Sequence, residues 1–117
     1  MKLIILLFFA TNFCMAEPTI ARVTYYWGHN KTSTGIKPLK NKTIAVDPKI
    51  IKYGSNVFIP QINKTFVASD TGSAVKSRLA SRKLGKTNIV VDIYCETKKE
   101  ALTYIKKYPM FMEVRVQ

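Results

Sequence analysis

The chain has 117 residues, 47% of them hydrophobic, and a formal charge of +12 from 19 basic and 7 acidic side chains. That length bounds the sequence to one small domain with one core. The basic excess is spread along the chain, which points to an anionic partner such as a cell-wall polymer, a lipid surface or nucleic acid, but basic and aromatic residues are not interleaved as in a nucleic-acid module, so no nucleic-acid partner is expected.

The first segment, MKLIILLFFATNFCMA, has a basic start at Lys2, an apolar run from Leu3 to Ala10 and a small residue at Ala16. This is the layout of a secretory signal cut after Ala16, which predicts an exported protein whose mature domain covers 17–117. A retained anchor is the alternative, although the run is short for a bilayer. Cleavage would remove Cys14 and leave Cys95, so no internal disulfide is expected, and Cys95 reads as a small buried hydrophobe.

TIARVTYYW (19–27) is rich in β-branched and aromatic residues and predicts a first strand. GHNKTSTGIKPLKN (28–41) reads as a long polar loop. KTIAVDP (42–48) predicts a short strand stopped by Pro48. KYGS reads as a turn into a strand at NVFIP, and QINK as a hairpin turn into a strand at TFVASD (65–70). TGSAVKSRLASRKLGKTN (71–88) opens on a glycine turn and predicts a short basic helix. IVVDIYC (89–95) is the most strand-like run of all. TKKEALTYIKKY (97–108) predicts a helix, with Thr97 and Glu100 spaced as a capping box and Ala101, Leu102, Ile105 and Tyr108 on one face. Pro109 ends it, and FMEVRV (111–116) alternates as a last strand. Six short strands with one or two packed helices predict a mainly β fold, a small mixed barrel.

The chain contains three aspartates, Asp47, Asp70 and Asp92, each at the end of or within a strand: AVDP, ASDTG and VVDIY. That placement suggests convergence on one site. Asp92 has apolar neighbours on both sides, and burial among them would hold its carboxyl protonated above the usual pKa of about 3.9. The alternative for Asp92 is an acid facing water from an edge strand. His29, the one histidine, reads as loop surface. No histidine–cysteine cluster has metal-ligand spacing, so neither a metal nor another cofactor is expected. Three NKT tripeptides, beginning at Asn30, Asn41 and Asn63, are formal glycosylation sequons, which would matter in a eukaryotic source.

IAVDPKIIKYGSNVFI, VASDTGSAVK and VVDIYCETKKEAL, in that order, together with STG at 33–35 after the first strand, resemble the three-aspartate (3D) domain family. The resemblance covers roughly residues 20 to 116. It implies a double-psi β-barrel, the core of membrane-bound lytic transglycosylase A and of smaller secreted cell-wall enzymes, with related barrels in expansins and barwin-like proteins. It departs from the family in the long spacing between Asp70 and Asp92, and in Ser73 and Ser77 where glycines are usual.

By this resemblance the chain would be a monomeric, exported lytic transglycosylase acting on peptidoglycan glycan strands. One carboxyl would serve as acid and then base, giving 1,6-anhydro-muramic products. Asp92 takes the proton-transfer role and Asp70, ahead of the Thr71–Gly72 turn, positions substrate or tunes Asp92. Asp47 is a site-supporting acid that bonds to its own turn, and Gly72 supports the turn after Asp70. Thr34, Thr71 and Lys76 match substrate-binding positions, and Tyr25, Tyr26 and Trp27 offer rings for sugar stacking, Tyr25 being the one assigned to substrate. Strand alternation sends at least one of Tyr25, Tyr26 and Trp27 into the core. The competing reading is a non-catalytic, expansin-like module that grips wall glycan with the same barrel and its basic surface. An adaptor or inhibitor of other wall enzymes is a third.

Overall fold

A computed structural model of the chain describes residues 17–117; the expected signal segment over 1–16 lies outside the described residues. Six strands form: β1 Thr19–Tyr26, β2 Thr43–Ala45, β3 Asn56–Ile59, β4 Lys64–Asp70, β5 Val90–Tyr94 and β6 Phe111–Val116. Between β4 and β5 lie α1 Ser73–Lys76 and α2 Leu79–Arg82, and α3 Lys98–Lys107 links β5 to β6.

The strands close into a barrel in the order β1-β5-β2-β4-β3-β6. β1 pairs with β5 and β2 with β4 in parallel, and the remaining neighbours are antiparallel. Parallel partners require crossovers, so the chain leaves and re-enters the wall twice in the interlocked manner of a double-psi barrel. Closure removes the unpaired strand edges that a sheet this small would otherwise expose.

Alternation along the strands fills the interior. Ala21 and Val23 on β1, Val91 and Ile93 on β5, and Met112 and Val114 on β6 point inward with Ile44, Val57, Ile59 and Phe66. Full burial of each aliphatic side chain contributes on the order of 2 kcal/mol. Outside the wall, a second cluster of Ala45, Val75 and Val90 packs with Tyr26 and Ala80, holding α1 and α2 against β1 and β5. Cys95 is a buried free thiol. No helix among the described residues is long and apolar enough to cross a membrane.

Two local features differ from the sequence reading. The basic segment after Asp70 forms two four-residue helices rather than one, because Arg78 takes the left-handed conformation (φ 56°, ψ 38°) between them. Arg78 there donates from Nη1 to the Thr87 carbonyl, and fully buried Ser81 donates to the Asn88 carbonyl at 2.7 Å, tying the segment to the start of β5.

In α3 the cap forms as expected at Thr97, whose Oγ1 accepts from the Glu100 N–H at 3.1 Å. The returning bond from Glu100 goes to the Glu96 N–H. The expected face is corrected, however. Ala101 is buried, and Tyr104 and Tyr108 pack on the core, while Leu102 and Ile105 stay 48% and 54% exposed. Tyr104 stacks on Tyr25 with ring centroids 5.1 Å apart, and that large ring sets the rotation of the helix.

Candidate active site

Ala45 is the register partner of Asp92 on β5 and of Asp70 on β4. The β2–β4 pairing shifts between Ile44 and Ala45, so that Ala45 meets Asp70 where an unbroken register would bring Ser69. A one-residue shift turns a side chain to the other face of a sheet. The irregularity therefore sets Asp70 on the same face as Asp92, with only the methyl group of Ala45 on the strand between them.

The next strand completes this face. β1 residues Arg22, Thr24 and Tyr26 pair with Val90, Asp92 and Tyr94. Thr24 Oγ1 donates to Asp92 Oδ1 at 2.8 Å, and the Tyr26 hydroxyl donates to Asp70 Oδ2 at 2.7 Å. The main-chain N–H groups of Ser33 and Thr71 both donate to Asp70 Oδ1 at 2.8 Å. Thr34 Oγ1 donates to the Ser69 carbonyl at 2.9 Å, latching the long polar loop over the end of β4.

These partners drive the two carboxyls apart in acidity. Asp92 is pushed up to about 6: its burial is the main cause, the neighbouring Asp70 charge adds to it, and the Thr24 hydrogen bond and His29 oppose it. Burial would also raise Asp70, which is 5% exposed, but the bonds from Ser33, Tyr26 and Thr71 outweigh it and hold its pKa below the usual carboxylate value. Near pH 6 the pair thus presents one ionised carboxylate and one carboxyl that carries a proton about half the time. Pairs whose environments separate them in this way can divide acid and base roles.

Asp92 opens on a groove of about 420 Å³ whose walls include Arg22, Thr24 and Tyr25 on β1, Val75 and Leu79 on the helices, and Lys83 just past α2. Arg22 Nε is buried without a partner among the described residues, and so is Thr71 Oγ1. Both are polar atoms with unused hydrogen-bonding capacity beside the acids.

The other candidates are distributed less tightly. Asp47 Oδ1 accepts from the Lys49 N–H at 3.0 Å and the Asp47 carbonyl accepts from the N–H groups of Ile50 and Ile51, so its bonds lie within its own turn. Two of the three aspartates share Ala45 as register partner, while the third bonds within its own turn. Lys76 is exposed on α1. Gly72 precedes α1 in an extended conformation (φ −175°) that any residue can adopt, and a β-carbon there would meet no atom within 4 Å. Tyr25 faces the other way: its ring stacks on Tyr104 and its hydroxyl is buried. Tyr26, one position later, brings its hydroxyl to the acids.

Two contributors escaped the sequence reading, Thr24 and the Ser33 main chain, and Tyr26, expected only as a sugar-stacking ring, brings its hydroxyl to Asp70 instead. Period-two alternation separates Tyr25 from Tyr26 but does not say which faces inward. Ser33 acts through its N–H, which carries no side-chain signal. Among the described residues no group of three or more histidines, cysteines or carboxylates is arranged to hold a metal ion.

The sequence profile of the family described as "3D domain" matches residues 42–112, which include all three aspartates. No curated protein matches the chain. Among solved structures, the chain is similar to a lytic transglycosylase, LtgG, of Burkholderia pseudomallei, at 22% identity and a TM-score of 0.46. The match covers 73% of this chain and 24% of that one, so the chain spans about a quarter of that protein's length.

Proposed function

Since the chain belongs to the 3D domain family, we propose that it is an exported peptidoglycan lytic transglycosylase in which Asp92 serves as acid and then as base. The observation that carries this reading is Asp92 itself: partly buried at the wall of an open groove, with its pKa raised to about 6, and neighboured by an Asp70 kept ionised by three donors. A free aspartic acid would be almost wholly ionised at pH 6 and a poor proton donor.

The protonated Asp92 carboxyl donates its proton to the glycosidic oxygen, the bond from that oxygen to the anomeric carbon breaks, and the sugar develops oxocarbenium character. Asp70, ionised and close, stabilises that positive charge. The Asp92 carboxylate then takes the proton of the muramic acid 6-hydroxyl as its oxygen attacks the anomeric carbon, closing the 1,6-anhydro ring. Asp92 is thereby protonated again, and no water is consumed. Thr24 holds Asp92 Oδ1 in place, leaving Oδ2 to carry the proton. Thr34 and Thr71, on the loops that enclose Asp70, flank the sugar, Lys76 supplies a charge for a stem-peptide carboxylate, and Asp47 and Gly72 shape the turns. Tyr25 lines the Asp92 groove while its ring stacks on Tyr104, so its part is to border the sugar rather than to offer both ring faces.

The test is mass spectrometry of the soluble products after incubation with purified peptidoglycan. Anhydro-terminated fragments from the wild type and none from Asp92→Asn are expected. Hydrated termini would make the protein an ordinary glycosidase. Pelleting with peptidoglycan without any released product, unchanged in Asp92→Asn, would leave the expansin-like binding module as the function.

A further inference from the structure

The barrel has a second concave surface, on the other side of the β1–β5 wall from the carboxyls. Strand alternation sends Thr24 and Tyr26 to the acids and Tyr25 to α3. Over α3 and the start of β4 lies a groove of about 400 Å³, lined by lysines 40, 64, 99 and 107 together with Tyr104 and Tyr108. Lys64 begins β4 and Asp70 ends it, which places the two surfaces about 20 Å apart along that strand.

The charge in this groove is unbalanced, and its Lys40, Lys64 and Lys107 ammonium groups are held in position. Its one acid, Glu100, is engaged by Lys40 at 2.9 Å and by the Glu96 N–H. Lys64 donates to Asn41 Oδ1 at 2.7 Å and to the Tyr104 hydroxyl at 3.1 Å, and its ammonium stands 5.6 Å from the Tyr104 ring centroid. Lys107 stands in the same relation to Tyr108, at 5.5 Å. The ion pairs among the described residues join Lys40 to Glu100 and Arg115 to Glu113, so Lys64, Lys99 and Lys107 face the groove uncompensated. Ammonium groups fixed in this way lose less freedom on meeting an anion.

The aromatic rings argue against nucleic acid. Tyr104 is stacked on Tyr25 and covered by Lys64, and Tyr108 is flanked by Tyr104 and Lys107. No open ring face is left on which a base could stack. The hydroxyls beside the lysines, Thr97, Thr103 and Tyr104, suit a hydroxyl-rich ligand.

We propose that this groove is a second, non-catalytic binding site for a linear acidic glycan, whose carboxylate or phosphate groups meet Lys64, Lys99 and Lys107. The site stands independently of the reaction assigned to Asp92 and would hold the protein on an anionic polymer while the carboxyl face remains free.

The test is calorimetric titration with polygalacturonate, with phosphorylated mannan as the second anionic probe and neutral dextran and an oligothymidylate of equal length as comparisons. Binding of at least one acidic glycan is expected, weakening as salt is raised, with dextran not bound and the oligothymidylate bound more weakly. Which acidic glycan binds identifies the preferred anion. The triple variant Lys64→Gln, Lys99→Gln, Lys107→Gln is expected to bind roughly tenfold more weakly. A control triple at exposed Lys49, Lys52 and Lys86 removes the same charge and is expected to bind nearly as the wild type. Asp92→Asn should bind unchanged. Because Lys64 also supports Tyr104, wild-type amide shifts on glycan addition provide a second reading, expected in residues 97–108 and around Lys40 and Lys64. Equal loss in the two triples, shifts confined to other parts of the barrel, failure of both acidic glycans to bind, or tighter binding of the oligothymidylate would each overturn the proposal.

Discussion

Tyr26 donates its hydroxyl to Asp70 across 44 positions of sequence, at 2.7 Å, from the strand whose Thr24 bonds to Asp92. One edge of β1 thus serves both acids and does opposite things to them. The bond to Asp70 joins two main-chain donors and keeps that carboxyl ionised, while the single bond to Asp92 is outweighed by burial and by the charge of Asp70. The pair stays asymmetric because three donors converge on one member and one on the other.

Asp92→Asn should abolish anhydro-product formation and, at the same time, stabilise the protein above pH 6. The folded pKa of Asp92, about 6, exceeds its unfolded value near 3.8. Between those values the native state retains a proton that the unfolded state has lost, so stability declines as pH rises through this window. Asparagine carries no such cost and still accepts from Thr24. Urea unfolding at pH 7.5 should show a gain of about 3 kcal/mol, shrinking toward zero at pH 4. A variant less stable than the wild type at pH 7.5 would mean that Asp92 is already solvated in the folded state.

The alkaline limb of the pH–rate profile should follow Asp92, with activity falling above about pH 6 as the acid ionises. Two substitutions should move that limb in opposite directions. Thr24→Val removes a hydrogen bond to the charged form and should shift the limb to higher pH. Asp70→Asn removes the neighbouring negative charge and should shift it to lower pH, apart from any loss of rate. Profiles of kcat/KM for the three proteins decide this, and shifts of the same sign in both variants would exclude Asp92 as the titrating group.

Tyr26→Phe should cost about 1 to 3 kcal/mol at neutral pH, since Asp70 is buried and loses one of its donors. Asp70 has a lowered folded pKa, so it contributes stability above its unfolded value near 3.8 that is lost as pH falls through the folded pKa. The difference between Tyr26→Phe and wild type should therefore be largest at neutral pH and shrink in acid. Thermal unfolding at pH 7 and at pH 2.5 measures both. An equal difference at the two values would assign the effect to packing alone.

The strands were legible because each is a short run rich in β-branched and aromatic residues, and most are closed by Gly, Pro or Asn. The turn at Asn63 shows why this works: its φ of 60° lies in the left-handed region that asparagine tolerates better than most residues. Asp70 and Asp92 stood out because acids are rare inside such strands. Their meeting was harder to read. It depends on the register shift after Ile44, and TIA contains no residue that marks an irregularity. Thr24 and Ser33 reach their acids across 68 and 37 positions, which local pattern does not reveal. Asp47 shares the strand-end context of Asp70 yet turns its carboxylate to Lys49, because the chain after Pro48 folds back at once.

The rotation of α3 gives a sharper comparison. Counting from Ala101, both Tyr104 and Ile105 fall at helical spacing for one face, so periodicity allows either to turn inward. Packing decides for Tyr104, which rests on Tyr25 and accepts from Lys64, while Ile105 is 54% exposed. Tyr104→Ala should therefore cost about 2 to 4 kcal/mol, through lost ring packing and exposure of the Tyr25 face. Ile105→Ala should change stability by less than about 1 kcal/mol, since a half-exposed side chain has little burial to lose and alanine favours the helix. Chemical unfolding of the two variants separates these faces: a larger loss at Ile105 would mean that the helix is rotated by one position, with Leu102 and Ile105 against the barrel.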